Sequence, residues 1–180
     1  DLRSVHIAKR FPLQQGGKLR LIDDFTAAGV NQTVGMAERL RVESVDELTA
    51  NILVTILRGA KLEGCKLVGR TFDLKSAYKQ FGVSAETRSQ LRLLVWDVEQ
   101  SKPTLLGVNA LPFGAAGSVS AFLRISMALW FIGTVGLKLC WTVFYDDYTV
   151  ICKKRMSHGT GIAAEALFDL FGMWFAKEGT

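Results

Sequence analysis

Trp141-Thr142-Val143-Phe144-Tyr145-Asp146-Asp147-Tyr148-Thr149-Val150-Ile151-Cys152 sets two runs of β-branched and aromatic residues on either side of two adjacent carboxylates. Such runs favour extended backbone, and the polar pair between them reads as the tip of a β-hairpin. Like charges on neighbouring residues repel, so a tip built from Asp146-Asp147 is best satisfied with a cation beside it. Asp is also frequent in turns because its side chain bonds nearby amides, so the pair taken alone reads first as a solvated turn. Leu139, Trp141, Val143 and Tyr145 alternate with Cys140, Thr142, Phe144 and Asp146. Strict alternation places Asp146 on the face of Phe144 and Asp147 on the other side of the strand.

The segments flanking this hairpin supply its packing partners. Upstream, Ile125 to Leu137 is the most apolar stretch, bounded by Arg124 and Lys138. It falls short of the ~20 residues a bilayer span needs, so it reads as a buried core helix continuing the small-residue run Ala115 to Ala121. Downstream, the segment from Ile162 to Ala176 places Ile162, Ala166, Leu167, Leu170, Phe171, Trp174 and Phe175 on one face of an amphipathic helix, with Gly179 positioned to end it.

Further upstream, Lys66 to Asp73 reads as a strand that ends in a carboxylate. Gln90 to Val98 and Thr104 to Ala110 form a second strand pair, with Pro103 favouring the turn between them. Near the start, Gly16-Gly17 separates two strand-like runs, and Lys9, Arg10, Lys18 and Arg20 make that hairpin basic and suited to phosphate contacts. Residues Thr26 to Val42 read mostly as loop. Ser44 and Glu47 have capping-box spacing ahead of a helix from Val45 to about Leu57, with Val45, Leu48, Ile52 and Ile56 as its apolar stripe.

The 180 residues, 49% hydrophobic and 22% charged, describe a globular chain with enough length to bury a core, and no repeat or linker divides it. Lys and Arg exceed Asp and Glu by 22 to 17, a balance that permits a nucleic-acid partner. Cys65, Cys140 and Cys152 show no CxxC spacing and read as free thiols. His6 and His158 stand alone in the sequence and receive no catalytic role. No signal peptide opens the chain, and the expected setting is intracellular, in cytoplasm or nucleus, without a membrane. The absence of a terminal cap at Asp1 or Thr180 suggests a portion of a longer protein.

Four stretches taken in order resemble the reverse transcriptase family, the RNA-directed DNA polymerases of retroelements. Phe72-Asp73-Leu74-Lys75-Ser76-Ala77-Tyr78-Lys79-Gln80 resembles the first palm motif. Leu111-Pro112-Phe113-Gly114, with Phe122 eight residues beyond Gly114, resembles the motif that contacts template and incoming nucleotide, in its retrotransposon form. Phe144-Tyr145-Asp146-Asp147 is similar to the catalytic hairpin, and Arg20 and Asp24 in Arg-Leu-Ile-Asp-Asp-Phe resemble the fingers motif that closes on the triphosphate.

The resemblance implies an α+β polymerase palm, a small antiparallel sheet backed by helices near 116 to 133 and 162 to 176, plus partial fingers. Residues 1–65 would be mainly fingers and 66–180 mainly palm, with a fingers insertion near 83–115 and no thumb. It further implies two Mg²⁺ ions, or Mn²⁺ in their place, about 3.5 to 4 Å apart. Asp73 and Asp146 would be the bridging ligands, with Asp147 as auxiliary. Tyr78 would exclude a ribose 2′-hydroxyl, Arg20 and Lys18 would neutralise triphosphate charge, and Phe113, Gly114 and Gln80 would line the substrate. Lys177 would assist departure of pyrophosphate. The implied partners are an RNA template, a DNA or RNA primer, deoxynucleoside triphosphates and further domains of a polyprotein. The same carboxylates serve RNA-dependent RNA polymerases, and an inactive or domesticated retroelement fragment that binds nucleic acid would keep the same pattern.

Overall fold

The computed structural model describes residues 5–35, 41–59 and 66–176. Within them the chain is mixed α+β. In chain order the elements are β1 (His6–Gln15), β2 (Lys18–Asp24), α1 (Val30–Thr33), α2 (Val45–Gly59), β3 (Leu67–Asp73), α3 (Ala85–Gln90), β4 (Leu91–Asp97), β5 (Lys102–Gly107), α4 (Ala116–Val135), β6 (Trp141–Phe144), β7 (Asp147–Lys153) and α5 (Ser157–Leu170). They fall into two compact units: residues 5–35 with Tyr78–Phe122, and residues 41–77 with those from Leu123 onward. Helix α2, although early in the chain, therefore belongs with the second unit.

In the first unit, Gly16 and Gly17 take φ of 57° and 76°, the left-handed pair that a two-residue hairpin turn requires. Strands β1 and β2 pair from Gln15 opposite Lys18 to Lys9 opposite Asp24. Strand β1 also runs parallel to β4, His6 opposite Leu91, which joins both hairpins into one sheet of order β2-β1-β4-β5. Its core gathers Ala8, Phe25, Val30, Leu91, Leu93, Val108 and Ala115. Pro103 lies within β5, opposite Trp96, rather than in the turn; β5 is an edge strand, where proline is tolerated. Arg10, expected to be available for phosphate, instead donates to both carboxylate oxygens of buried Asp23 at 2.7 and 3.0 Å. That fork-to-carboxylate pairing raises the Arg10 pKa and occupies its charge.

In the second unit, β3, β7 and β6 form an antiparallel sheet in that order. Its buried face holds Phe72, Trp141, Val143, Tyr148 and Val150. Phe168 of α5 meets Trp141 and Tyr148 with ring centroids 6.1 and 4.8 Å apart. From α4, the Trp130 indole donates to the Trp141 carbonyl and the Trp141 indole donates to the Trp130 carbonyl, both at 3.1 Å. Gly133 is required at that crossing, because a Cβ there would fall 2.0 Å from the Trp141 ring. The small-residue run joins the apolar stretch in one helix, so α4 reaches 20 residues and is long and apolar enough, by length and composition, to cross a membrane. It uses Ser126, Leu129 and Gly133 for packing within this unit.

Two helices differ from expectation. In α2 the capping box forms as spaced, with the Glu47 carboxylate accepting from the Ser44 amide at 2.8 Å and from its hydroxyl. The Ser44 hydroxyl bond, ahead of the amide bond, lowers the Glu47 pKa to about 2. Val45, Ile52 and Ile56, however, are exposed. The inner side of α2 is polar because it covers the edge of β6 rather than a sheet face: Asn51 donates to the Trp141 carbonyl at 3.3 Å. Glu43, just before the helix, accepts from the Val143 amide at 2.9 Å. An uncovered strand edge carries unpaired amides and carbonyls, so polar side chains suit it.

Helix α5 ends at Leu170, not near 176. Gly172, at φ 66°, donates to the Asp169 carbonyl at 2.9 Å, and the Met173 amide donates to the Phe168 carbonyl at 2.9 Å. This is the Schellman closure, in which a left-handed residue releases the chain from the helix. The buried face is Gly161, Ala164, Leu167 and Phe168, while Ile162, Leu170, Phe171 and Trp174 are exposed. Beyond it Phe175 bridges to Leu74, and the Ala176 amide donates to the Asp73 carbonyl at 2.8 Å.

Candidate functional site

Asp73 closes β3 and stands directly opposite Asp147, the first residue of β7; Phe144, the last of β6, stands opposite Asp147 on its other side. Cross-strand partners share a face, so Asp73, Asp147 and Phe144 form a row across the exposed face of the sheet. The alternation expected from sequence put Asp147 on the far side. It fails because the two-residue turn Tyr145-Asp146 resets the parity between β6 and β7, and Asp146 sits in the turn itself.

Asp146 and Asp147 sense the carboxylates beside them. Burial raises the pKa of half-buried Asp146, against the pull of its own backbone amide, and the negative charge of Asp73 adds to the rise. Burial likewise raises that of Asp147, followed by the charges of Asp146 and Asp73. Partial burial of like charges favours either a proton or a cation among them. Among the described residues no group of three His, Cys, Asp or Glu side chains stands in an arrangement that by itself could hold a metal ion.

The turn is held in a strained form. Tyr145 takes φ 55°, a left-handed conformation that glycine usually fills. The Ser126 hydroxyl of α4 donates to the Tyr145 carbonyl at 2.6 Å and lies 2.8 Å from the Tyr148 hydroxyl, which in turn donates to the Ser126 carbonyl at 3.2 Å. The Leu74 amide donates to the Asp146 carbonyl at 3.3 Å, tying the end of β3 to the turn.

In the first unit, Tyr78 stacks on buried Phe122 with centroids 4.8 Å apart and meets Phe113 edge-on at 5.8 Å. Gly114 takes φ 102°, and a Cβ there would lie 2.5 Å from the Asp23 carbonyl oxygen. The Asn31 amide clasps this turn, donating to the Gly114 carbonyl at 3.0 Å and accepting from the Ala116 amide at 2.8 Å. Gln80 is half-buried in the 3-10 turn Ala77–Gln80. Lys18 and Arg20 are exposed on β2, opposite Gln15 and Leu13. Asp24 accepts the Ala27 amide, three residues on, at 2.8 Å in the turn that carries the chain out of β2. Lys177 lies outside the described residues, as does Cys65.

Sequence reasoning passed over Asn31, Ser126 and Gly172. Gly172 was visible as a glycine within a helical pattern, a recognised stop signal. Asn31 and Ser126 act on backbone distant in sequence, which no local pattern encodes. Comparison with protein families and with curated proteins finds no match for the chain.

Proposed function

We propose that the chain is a reverse transcriptase core that adds deoxynucleotides to a primer 3′-hydroxyl on an RNA template, with the second unit as palm and the first as fingers. The observation that supports this most is the convergence of Asp73 and Asp147 in cross-strand register with Asp146 in the adjoining turn. Phosphoryl transfer asks little covalent chemistry of a protein; it needs positioned reactants and compensated charge.

Asp73 and Asp146, with Asp147 beside them, would hold two divalent ions, Mg²⁺ or Mn²⁺. Such ions supply Lewis acidity toward the attacking hydroxyl and the leaving phosphates. The fit rests on donor type and charge: Asp146 and Asp147 are partly buried oxygen donors whose ionised forms are disfavoured by burial and by neighbouring carboxylates, so they would gain from a cation there. Mg²⁺ retains water and takes substrate phosphates as ligands, so the proposal asks only a few carboxylates of the protein.

Tyr78, held between Phe122 and Phe113, offers a fixed aromatic surface suited to rejecting a 2′-hydroxyl. Arg20 and Lys18 are exposed cations suited to triphosphate charge. The RNA template, the DNA or RNA primer and further polyprotein domains belong to the same proposal. Primer extension on RNA and DNA templates tests it, with Asp73→Asn, Asp146→Asn and Tyr78→Ala as informative variants.

A further inference from the structure

The first unit carries an open cleft of about 420 Å³ lined by Ala85, Arg88, Ser89, Arg92, Gly107 and Asn109. Two of the six lining residues are arginines and none is acidic. The Arg92 guanidinium is anchored at one corner, donating through Nη1 to the Arg88 carbonyl and, at 3.1 Å, to the Leu91 carbonyl. Those carbonyls lie in the last turn of α3 and at the first residue of β4, and their pairing fixes the plane of the guanidinium while its other N–H groups stay available. The Ser89 hydroxyl donates to the Glu86 carbonyl at 2.7 Å, so its proton is committed. Arg88 and Asn109 make no side-chain hydrogen bond or ion pair among the described residues.

We propose that this cleft binds the phosphate group of a phosphate ester. An immobilised arginine at the start of β4, a second arginine four residues earlier in α3 and a carboxamide donor together offer forked, charge-assisted hydrogen bonds of the kind that match phosphate oxygens. Ala85 and Gly107 offer an uncharged wall, and the cleft is larger than a bare phosphate needs, leaving room for the esterified group. The ester comes either from a free nucleotide or from a nucleic-acid backbone. This site uses none of the residues assigned to nucleotide transfer, so it stands or falls separately from that function.

The test is amide and arginine side-chain NMR of the chain, titrated without divalent metal with thymidine, thymidine 5′-monophosphate, inorganic phosphate and a ten-residue oligothymidylate. Saturable shifts centred on Arg88, Arg92, Gly107 and Asn109 with the phosphate-bearing ligands, and none with thymidine, are expected. Arg88→Gln should weaken binding about tenfold or more, Arg88→Lys should weaken it less, and Arg155→Gln, at a residue of the second unit that does not line the cleft, should leave it unchanged. Tighter binding of the oligonucleotide would assign the ester to a nucleic-acid backbone, and equal binding of the monophosphate to a free nucleotide. Because Arg92 also braces α3, Arg88→Gln and Asn109→Ala carry the decision. Absence of saturable shifts, or equal affinity in Arg88→Gln, overturns the proposal.

Discussion

Asp73 and Asp147 face each other directly across the antiparallel β3–β7 pair, with Asp146 in the turn beside them. The raised pKa values of Asp146 and Asp147 fix the sign of their effect on stability. A carboxylate whose folded pKa lies above its unfolded value stabilises fully below the ordinary carboxylate range, and that contribution is lost as pH rises through the folded value. At neutral pH the ionised cluster therefore weakens the fold. Asp146→Asn should raise the thermal midpoint at pH 7, and the gap should close below about pH 4. Mg²⁺ at about ten times its dissociation constant should stabilise the native chain by about 1.4 kcal/mol and leave the Asp73→Asn/Asp146→Asn double variant unmoved. A lower midpoint for Asp146→Asn at neutral pH would contradict this.

Ser126 holds the strained turn through its hydroxyl bond to the Tyr145 carbonyl. Ser126→Ala removes that donor from a buried position and should cost about 1–3 kcal/mol in denaturant unfolding. Ser126→Thr keeps the hydroxyl and should recover part of the loss. If Ser126→Ala unfolds like the native chain, the turn is held by something else.

Gly133→Ala tests the crossing of α4 with β6. Its Cβ would press into the Trp141 ring, and overpacking of this kind costs about 1–3 kcal/mol. Gly159→Ala, at a helical glycine with open space around it, serves as the control and should be neutral or slightly stabilising.

Glu43 provides a second pH signature. Burial raises its pKa, against the bond from the Val143 amide, with the charge of Glu47 as a smaller contribution. Its stabilising effect is greatest with the carboxyl protonated and declines as pH rises through the folded value. Glu43→Gln keeps an acceptor for Val143 without the charge, so its stability relative to the native chain should improve as pH rises from acid to neutral. Glu43→Ala leaves the amide unpaired and should cost about 1–3 kcal/mol. Parallel pH profiles for the native chain and Glu43→Gln would remove Glu43 from this role.

The hairpins were legible because their signals are local. Gly16-Gly17 dictates a two-residue turn, and Trp141 to Cys152 alternates around a polar tip. The capping box at Ser44 and Glu47 was legible for the same reason. What escaped depends on partners remote in sequence. The parallel pairing of β1 with β4 joins residues more than eighty positions apart, such as His6 and Leu91. The apolar stripe assigned to α2 misled because the helix meets a strand edge, where Asn51 is the useful residue. The side on which Asp147 lies followed from turn length, which alternation alone does not give. Gly172, readable as a stop signal and nearer than Gly179, closes α5; Gly179 itself lies outside the described residues.

The central claim is that Asp73 and Asp146 together support metal-dependent nucleotide transfer. Its most direct test is primer extension on an RNA template with Mg²⁺ and deoxynucleoside triphosphates, comparing the protein that contains this chain with its Asp146→Asn variant. The account predicts template-directed extension by the native protein and a loss of more than about a hundredfold in the variant, since removal of a metal-binding carboxylate forfeits several kcal/mol of transition-state stabilisation. Equal extension by the two proteins, with thermal unfolding confirming that both are folded, would contradict it.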